Sequence, residues 1–355
     1  MQIDIINRLK DNQVVVTAPC RLDMGGTLDM TAFHYPMGYL NPVTFNIALD
    51  MRTRVRVSPY KKGWVRVASR GFESAEFPLN QAPFTHPLGL MFAVAAYFDA
   101  DGVSIDIDSP SPPRSALGGS SVAAVALCAA FLFMGDGELN DEDLKRQASR
   151  IAYYVESSIA GGPCGIQDHL AAAYGGVNAW YWQKSPEGIA HKRVEVIDQT
   201  EYDSLEQRLL IAYCGEPHES LNVNSRWLSQ FLSGINRSDW VEIIRCTHTF
   251  IHALQNGDYP ALYPPMNQET ELRRHMTPDV LDEVGVGLVE AARGLTCGVR
   301  FTGAGGGGCI WALCEKKELS MLSDRWQRVL EGKEGAMFLP CGIDPQGILC
   351  KNERP

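Results

Sequence analysis

Five glycines fall within six positions of RFTGAGGGGCIWALC, residues 300–314, and the residues on either side are apolar. A glycine-rich stretch is ordinarily a flexible connector, because residues without side chains retain much backbone entropy. The flanks restrict that reading. Gly298-Val299-Arg300-Phe301 and Cys309-Ile310-Trp311-Ala312-Leu313 read as two buried strands, so Gly303 and Gly305 to Gly308 join paired elements of a folded core. What remains is a tight structural turn or a backbone surface that receives a ligand.

At 355 residues the chain exceeds a typical single core, which points to two domains or one large α/β unit. Its 45% hydrophobic, 21% charged and 9% aromatic residues are those of a soluble globular protein. A net charge of -10 leaves no excess of Lys and Arg to neutralise phosphates, which argues against nucleic acid and anionic membrane as partners. No stretch reaches the roughly 18 to 20 apolar residues that span a bilayer, and the opening MQIDIINRLKDN is charged where a signal peptide would be apolar, so a cytoplasmic location is expected. The ten cysteines show no CxxC spacing and read as reduced, packed thiols. Cys246, His248 and His252 lack a carboxylate partner and read as one face of a helix rather than a metal site.

Strands are expected over 14–22, over two alternating runs within 48–69, over 102–109 and in VNAWYW. SVAAVALCAAFLFM, 121–134, is too long for a strand and reads as a buried helix; 141–162 reads as a helix with an acidic first turn and a glycine C-cap. Further helices are expected in SRWLSQFL, over 239–254 and over 278–294. The order lacks a regular βαβ rhythm. The fold class is therefore α+β in two domains, 1–185 and 186–355.

Five segments could carry chemistry. SPPRSALGGSS puts Leu117, Gly118, Gly119, Ser120 and Ser121 at the start of the apolar helix, where free N–H groups and the helix dipole attract anions. The two hydroxyls either cap that helix or reach a phosphate-bound Mg²⁺. GGPCGIQDHLAAAYGG sets Asp168 in apolar company, as a cap, an ion-pair member or a general base. Glu156 lies near the end of its helix among tyrosines, and TAPCRLDMGGTLDM supplies Arg21, Asp23, Thr27 and Asp29 after a strand. That last loop could hold a polyhydroxylated ligand or be a solvated turn, an ambiguity shared by the loop of His218, Ser220 and Asn222.

The order of these motifs is more specific than any one of them. AP-x-R on a strand, P-x-x-x-L-G-x-S-S opening a helix, then G-I-Q-D, then T-G-A-G-G-G-G resembles the GHMP kinase superfamily over nearly the whole chain. GIQDHLAAAYGG and GGTLD look most like its sugar kinases, the galactokinases, fucokinases and heptose 7-phosphate kinases. The resemblance implies an N-terminal domain like ribosomal protein S5 domain 2, a ferredoxin-like C-terminal domain, and ATP with Mg²⁺ in the cleft between them. It implies phosphorylation of the anomeric C1 hydroxyl of a sugar or sugar phosphate. The other readings are a kinase of the same fold acting on mevalonate or homoserine, and a silent sugar- and ATP-binding regulator.

Carried over by position, Leu117 to Ser121 match the phosphate-binding loop, Ser120 and Glu156 the Mg²⁺ ligands, Asp168 the catalytic aspartate and Arg21 its arginine. Asp29 matches the sugar-binding aspartate, with Thr27, Gly165 and His218 beside the substrate, and Gly303, Gly305 and Gly306 form the third motif at the active site. GGTLD stands where heptose-type kinases usually have GGGTD, so Leu28 shifts the register and leaves Asp23 as the other candidate for the substrate contact. Arg300 stands where many relatives have Lys. A phosphorylated sugar would need a second cation, for which Lys61, Lys62, Arg226, Arg273 and Arg274 are the candidates. The resemblance leaves monomer and homodimer open. Valine at Gly305 or Gly306 is expected to harm turnover more than fold.

Overall fold

A single strand of 17 residues, β2 (Val43–Pro59), organises the larger of two sheets in the computed structural model, which describes residues 9, 12–135, 139–215 and 220–354. Its two halves have different environments. Val43 to Leu49 are all buried, whereas from Met51 onward buried Met51, Thr53, Val55 and Val57 alternate with the half-exposed Arg52, Arg54 and Arg56. The first half is covered on both faces and the second on one, which is why only the second shows a two-residue period.

One edge of β2 pairs antiparallel with β1 (Gln13–Met24). The other edge is shared: Arg54–Pro59 pair with β5 (Val103–Asp108) and Val43–Ile47 with β6 (Val177–Gln183). The parallel neighbour β3 (Trp64–Ser69) and then β4 (Ala75–Pro78) extend the β5 side. β7 (Ala190–Glu195) adds to β6, and β12 (Leu349–Glu353) closes the free edge of β1, so this sheet takes two strands from beyond residue 185. The β1 register shifts between Pro19 and Cys20. Proline has no N–H to give the ladder, and the bulge there re-aims the strand end that carries Arg21 and Asp23.

Among the described residues, four helices of eight residues or more accompany this sheet: α1 (Gly89–Tyr97), α2 (Gly119–Phe133), α3 (Asp141–Ile159) and α4 (Gln167–Tyr174). α2 is buried from Ser121 to Leu132 and packs on β1, β2, α3 and α4. Asn140 caps α3, its side chain accepting from Asp143 N at 2.8 Å. The second sheet, in order β11-β8-β10-β9, is antiparallel and comprises β8 (Leu209–Tyr213), β9 (Cys297–Phe301), β10 (Cys309–Cys314) and β11 (Met337–Phe338). With it go α5 (Ser220–Leu232), α6 (Arg237–Gln255), α7 (Tyr263–Met276), α8 (Glu283–Ala291) and α9 (Leu319–Leu330).

The strands expected over 14–22, 48–69 and 102–109 and the helices expected over 121–134 and 141–162 form, with β2 starting at Val43 rather than Ala48. On α6, Cys246 is buried, His248 Nε2 lies 3.0 Å from the Asn41 carbonyl oxygen, and His252 meets Asn256. Among the described residues no cluster of His, Cys, Asp or Glu could hold a metal ion, no helix is long and apolar enough to cross a membrane, and all ten cysteines are free.

The glycine stretch is the β9–β10 hairpin loop, and its own hydrogen bonds hold it. Gly303 N donates to Asp23 Oδ1 at 2.6 Å, Gly306 N to Val280 O at 2.7 Å, and Gly308 O accepts from Cys214 N at 2.9 Å. Gly303 and Gly305 to Gly308 all have positive φ. Gly305 differs from the expectation that valine would spare the fold. At φ +73°, a Cβ there would stand 2.5 Å from the Val280 carbonyl oxygen, whereas at Gly306 the nearest atom is a Val223 methyl at 3.4 Å. Gly305→Val should therefore lose about 3 kcal/mol or more of unfolding free energy in urea titration. Gly306→Ala should cost only about 1–2 kcal/mol. Equal stabilities for the two variants would contradict this packing.

Candidate active site

The N-terminus of α2 opens into a cleft of about 720 Å³ whose walls include Arg21, Thr27, Asp29, Glu156, Gly165 and Asp168. Gly118 occupies the helix cap position at φ +82° with no side chain to cap it. The hydroxyls of Ser120 and Ser121 do not cap the helix. They turn to Glu156, at 3.4 Å from Oε1 and 2.8 Å from Oε2 respectively, and so leave the helix end open to an anion. Gly119, Ser120 and Ser121 line the cleft; Leu117 does not. Leu117 is buried and its carbonyl accepts from Arg21 N at 3.2 Å, so it anchors the loop to β1.

Glu156 is held from behind. His169, fully buried on α4, places Nε2 2.8 Å from Glu156 Oε2. Burial alone would raise the Glu156 pKa, but the His169 contact and the two serine hydroxyls outweigh it and hold it below the usual glutamate range. An ionised carboxylate beside a serine hydroxyl is an oxygen donor pair that suits a hard divalent cation also bound by phosphates.

Asp168, in the first turn of α4, accepts from Arg21 Nε at 2.8 Å. A Cβ on Gly118 would stand 3.3 Å from Asp168 Oδ2, so the loop before α2 passes directly beside this carboxylate. Arg21 is 3% exposed; its Nη1 also donates to Ala116 O at 2.6 Å and lies 3.6 Å from Asp23 Oδ1. Burial would lower its pKa, but Asp168 and Asp23 more than reverse that and keep it a cation.

Asp29 is the third carboxylate of the cleft. It is buried, accepts from Gln167 N at 2.9 Å, and lies so close to Gly165 that a Cβ on that residue would fall 1.8 Å from Oδ2. Burial, with further repulsion from Asp168 and Asp23, outweighs the bond from Gln167 and pushes its pKa up to about 6. Thr27 lines the same wall at φ +77°. Asp23, the other candidate, is fully buried and faces Arg21, Gly303 N and Arg300 instead of the cleft.

Of the third motif, Gly303 and Ala304 reach the cleft, whereas Gly305 and Gly306 stand behind them. His218 lies outside the described residues, as do the side chains of Ser220 and Asn222. The cations proposed for a substrate phosphate are elsewhere. Lys61 sits over the Trp64 ring, Arg226 pairs with Asp279, Arg274 pairs with Glu271, and Arg273 is buried; neither these nor Lys62 line the cleft.

The sequence reading did not find the charges behind Arg21. Arg300 Nη1 lies 3.4 Å from Asp23 Oδ2, and its Nε donates to Glu269 Oε2 at 2.7 Å. Arg273 Nε donates to Glu269 Oε1 at 2.9 Å, and its Nη2 and Nη1 reach Gly26 O at 2.7 Å and Thr27 Oγ1 at 3.3 Å. Arg300, Glu269 and Arg273 are all fully buried. Glutamate and arginine four apart in a helix would have been the signal, had α7 been recognised as one.

An open helix N-terminus, an aspartate–arginine pair beside it and a glutamate carboxylate with two serine hydroxyls meet in one cleft of a two-domain α+β fold. The model of the GHMP kinases N terminal domain matches residues 88–176 and that of the GHMP kinases C terminal residues 250–332. The chain belongs to the GHMP kinase family, whose members are kinases that use ATP as phosphate donor. It is similar to the bifunctional fucokinase/GDP-fucose pyrophosphorylase of Arabidopsis thaliana, 25% identical over 67% of this chain and 22% of that much longer one. A mevalonate kinase of Thermococcus sibiricus is 24% identical over 76% of this chain and 82% of its own. The fold is shared with a D-glycero-D-manno-heptose 1-phosphate kinase from Bacteriodes thetaiotaomicron, at a TM-score of 0.72 and 17% identity over 96% of this chain and 100% of that one.

A pH prediction follows from Asp29. Its folded pKa of about 6 exceeds its ordinary 3.8, so the stability it contributes is complete below pH 4 and is lost as pH rises through 6. Asp29→Asn should match the native protein near pH 4 and exceed it by on the order of 2–3 kcal/mol at pH 7.5 in urea unfolding. Parallel pH–stability curves for the two proteins would show that Asp29 is not desolvated.

Proposed function

We propose that the protein transfers the γ-phosphoryl group of ATP, with Mg²⁺, to the anomeric hydroxyl of a sugar. The observation that carries this reading is Asp29, a buried carboxylate on the cleft wall beside Asp168 whose pKa is pushed up to about 6. A carboxyl group poised between its two forms can accept from one substrate hydroxyl or donate to another, which suits a polyol. It repels a substrate that brings its own carboxylate, as mevalonate does. Similarity to a fucokinase supports the sugar reading, and similarity to a mevalonate kinase keeps the other acceptor in the test.

In this mechanism the N–H groups at the start of α2 cradle the phosphates while Gly118 and Gly119 let them approach. Ser120 and Glu156 would hold Mg²⁺, which supplies charge neutralisation on the phosphate oxygens. Transfer through a loose transition state depends on positioning and charge more than on a strong base. Arg21 orients Asp168, and Asp168 takes the hydrogen bond of the acceptor hydroxyl and its proton as the bond to phosphorus forms. An anomeric hydroxyl is more acidic than an ordinary alcohol, so a carboxylate suffices as base.

ADP release measured with D-galactose, L-fucose, heptoses, their phosphates, mevalonate and homoserine decides the acceptor. A sugar should give the highest kcat/KM; preference for mevalonate or homoserine would overturn the reading. Binding of ATP and sugar without ADP release from any acceptor would make the protein a sensor. With the preferred sugar, Asp168→Asn should lose about 10²–10⁴-fold in kcat while binding ATP as before. Unchanged turnover in that variant would remove Asp168 from the mechanism.

A further inference from the structure

Six side chains of alternating charge run from the reacting centre into the C-terminal half: Asp168, Arg21, Asp23, Arg300, Glu269 and Arg273. Successive members approach within 2.8, 3.6, 3.4, 2.7 and 2.9 Å. All but Asp168 are at most 3% exposed. The mechanism above uses only the first two. We propose that Asp23 and Arg300 are positioning residues for phosphoryl transfer: together they aim the guanidinium of Arg21 at Asp168 only when the glycine hairpin is seated against β1. The inference rests on the kinase reading of the cleft.

Three features of the chain carry it. Asp23 is the junction of the two halves, because one of its oxygens takes Gly303 N from the hairpin at 2.6 Å and faces Arg21, while the other faces Arg300. Arg300 sits on β9, at the root of that hairpin, and grips both Glu269 oxygens, from Nε at 2.7 Å and Nη2 at 3.2 Å. A two-pronged grip fixes direction as well as distance. Glu269 in turn is shared with Arg273, which reaches back to Gly26 O and Thr27 Oγ1 on the wall that carries Asp29. The chain of charges therefore touches both the catalytic pair and the acceptor wall.

Alternation makes the arrangement self-aligning. Each inner member is attracted by both neighbours in a low-dielectric interior, so displacing one shifts the balance on the next. A hairpin that lifts from β1 takes Gly303 N away from Asp23 and Arg300 with it. Asp23, which stays beside Arg21 on β1, would then lose both its hairpin partners and be free to swing, and the orientation of Arg21 would change with it. Small misplacements at a reacting centre cost up to about a hundredfold in rate. Among the described residues no hydrogen bond or ion pair joins Gly118 to Ser121 with Asp23, Arg300 or Glu269, which gives the proposal its distinctive kinetic signature.

The test uses the full chain, the sugar that gives the highest turnover in the acceptor panel, and ATP. Arg300→Lys keeps the charge and removes the fork; Asp23→Asn keeps the shape and removes the charge. Both should lose about 10- to 100-fold in kcat while KM for ATP stays within about threefold. The balanced double variant Asp23→Asn/Arg300→Gln removes one charge of each sign and should regain thermal stability relative to Asp23→Asn without regaining kcat. A residue that matters only for charge balance would recover both. Wild-type kcat in Arg300→Lys and Asp23→Asn, or kcat that follows melting temperature across all three variants, would overturn the proposal. Absence of transfer by the native protein with every acceptor would instead overturn the kinase reading, and the two failures are read in separate columns of one experiment.

Discussion

Arg21 carries its charge in a place where water cannot reach it. A buried guanidinium loses most of its hydration, and the attraction of its partners compensates only when the geometry is good on every side. Here it is. Asp168 meets Nε, Asp23 and the Ala116 carbonyl meet Nη1, and the Arg21 amide itself bonds to Leu117 O. Those partners come from three parts of the chain: α4, the end of β1, and the loop before α2. A cation that needs all of them to stay buried forces them to converge, so the same energetic demand that fixes Arg21 builds the active site around it.

The glycines have the complementary role of removing obstacles. Three positions would each put a Cβ against a functional group: Gly118 against Asp168, Gly165 against Asp29 and Gly303 against Ala116 O and Arg21. At Gly165 the clearance is only 1.8 Å, so Asp29 could not keep its bond to Gln167 N with any other residue there. Charged groups set the distances, and missing side chains permit them. The strands behind supply rigidity, since β1 is paired on both edges, by β2 and by the returning β12.

How much of this the sequence disclosed depended on where hydrophobic contrast existed. The helix at 121–134 was legible because it is apolar all round and too long for a strand, and the hairpin because its glycines sit between apolar runs. α7 was not, although its 14 residues are as regular as any helix here. Its buried face holds Glu269, Thr270 and Arg273 beside Met266 and Met276, so a search for apolar residues at helical spacing finds little in PPMNQETELRRHM. Burial of charge defeats periodicity. The same blindness hid His169, a polar residue inside an apolar run, and it left Asp23 and Asp29 unresolved, since two aspartates in one loop differ only in what the fold puts opposite them. The strands β7 and β12 escaped for another reason: pairing between residues such as Val14 and Asn352 leaves no local trace in either segment.

The alternating charges also explain why lysine would not be equivalent to arginine at position 300. A lysine ammonium is a point charge that can satisfy one carboxylate strongly or two weakly. Arginine presents donors in two directions at once: here Nε and Nη2 bond to Glu269 on α7, while Nη1 donates to the Phe301 carbonyl and lies 3.4 Å from Asp23 Oδ2 on β1. The arginine thereby ties one half of the protein to the other through a shape rather than through net charge. Glu269 is needed because two guanidinium groups, those of Arg300 and Arg273, come together in the same dry space and would otherwise repel. Its own pKa shows the balance: burial would raise it, yet the two arginines hold it below the ordinary glutamate range. Once Arg300 is accepted, Glu269 and Asp23 follow from electrostatics, and Asp23 brings with it the hairpin amide of Gly303, which is the point where the glycine stretch meets the chemistry of the cleft.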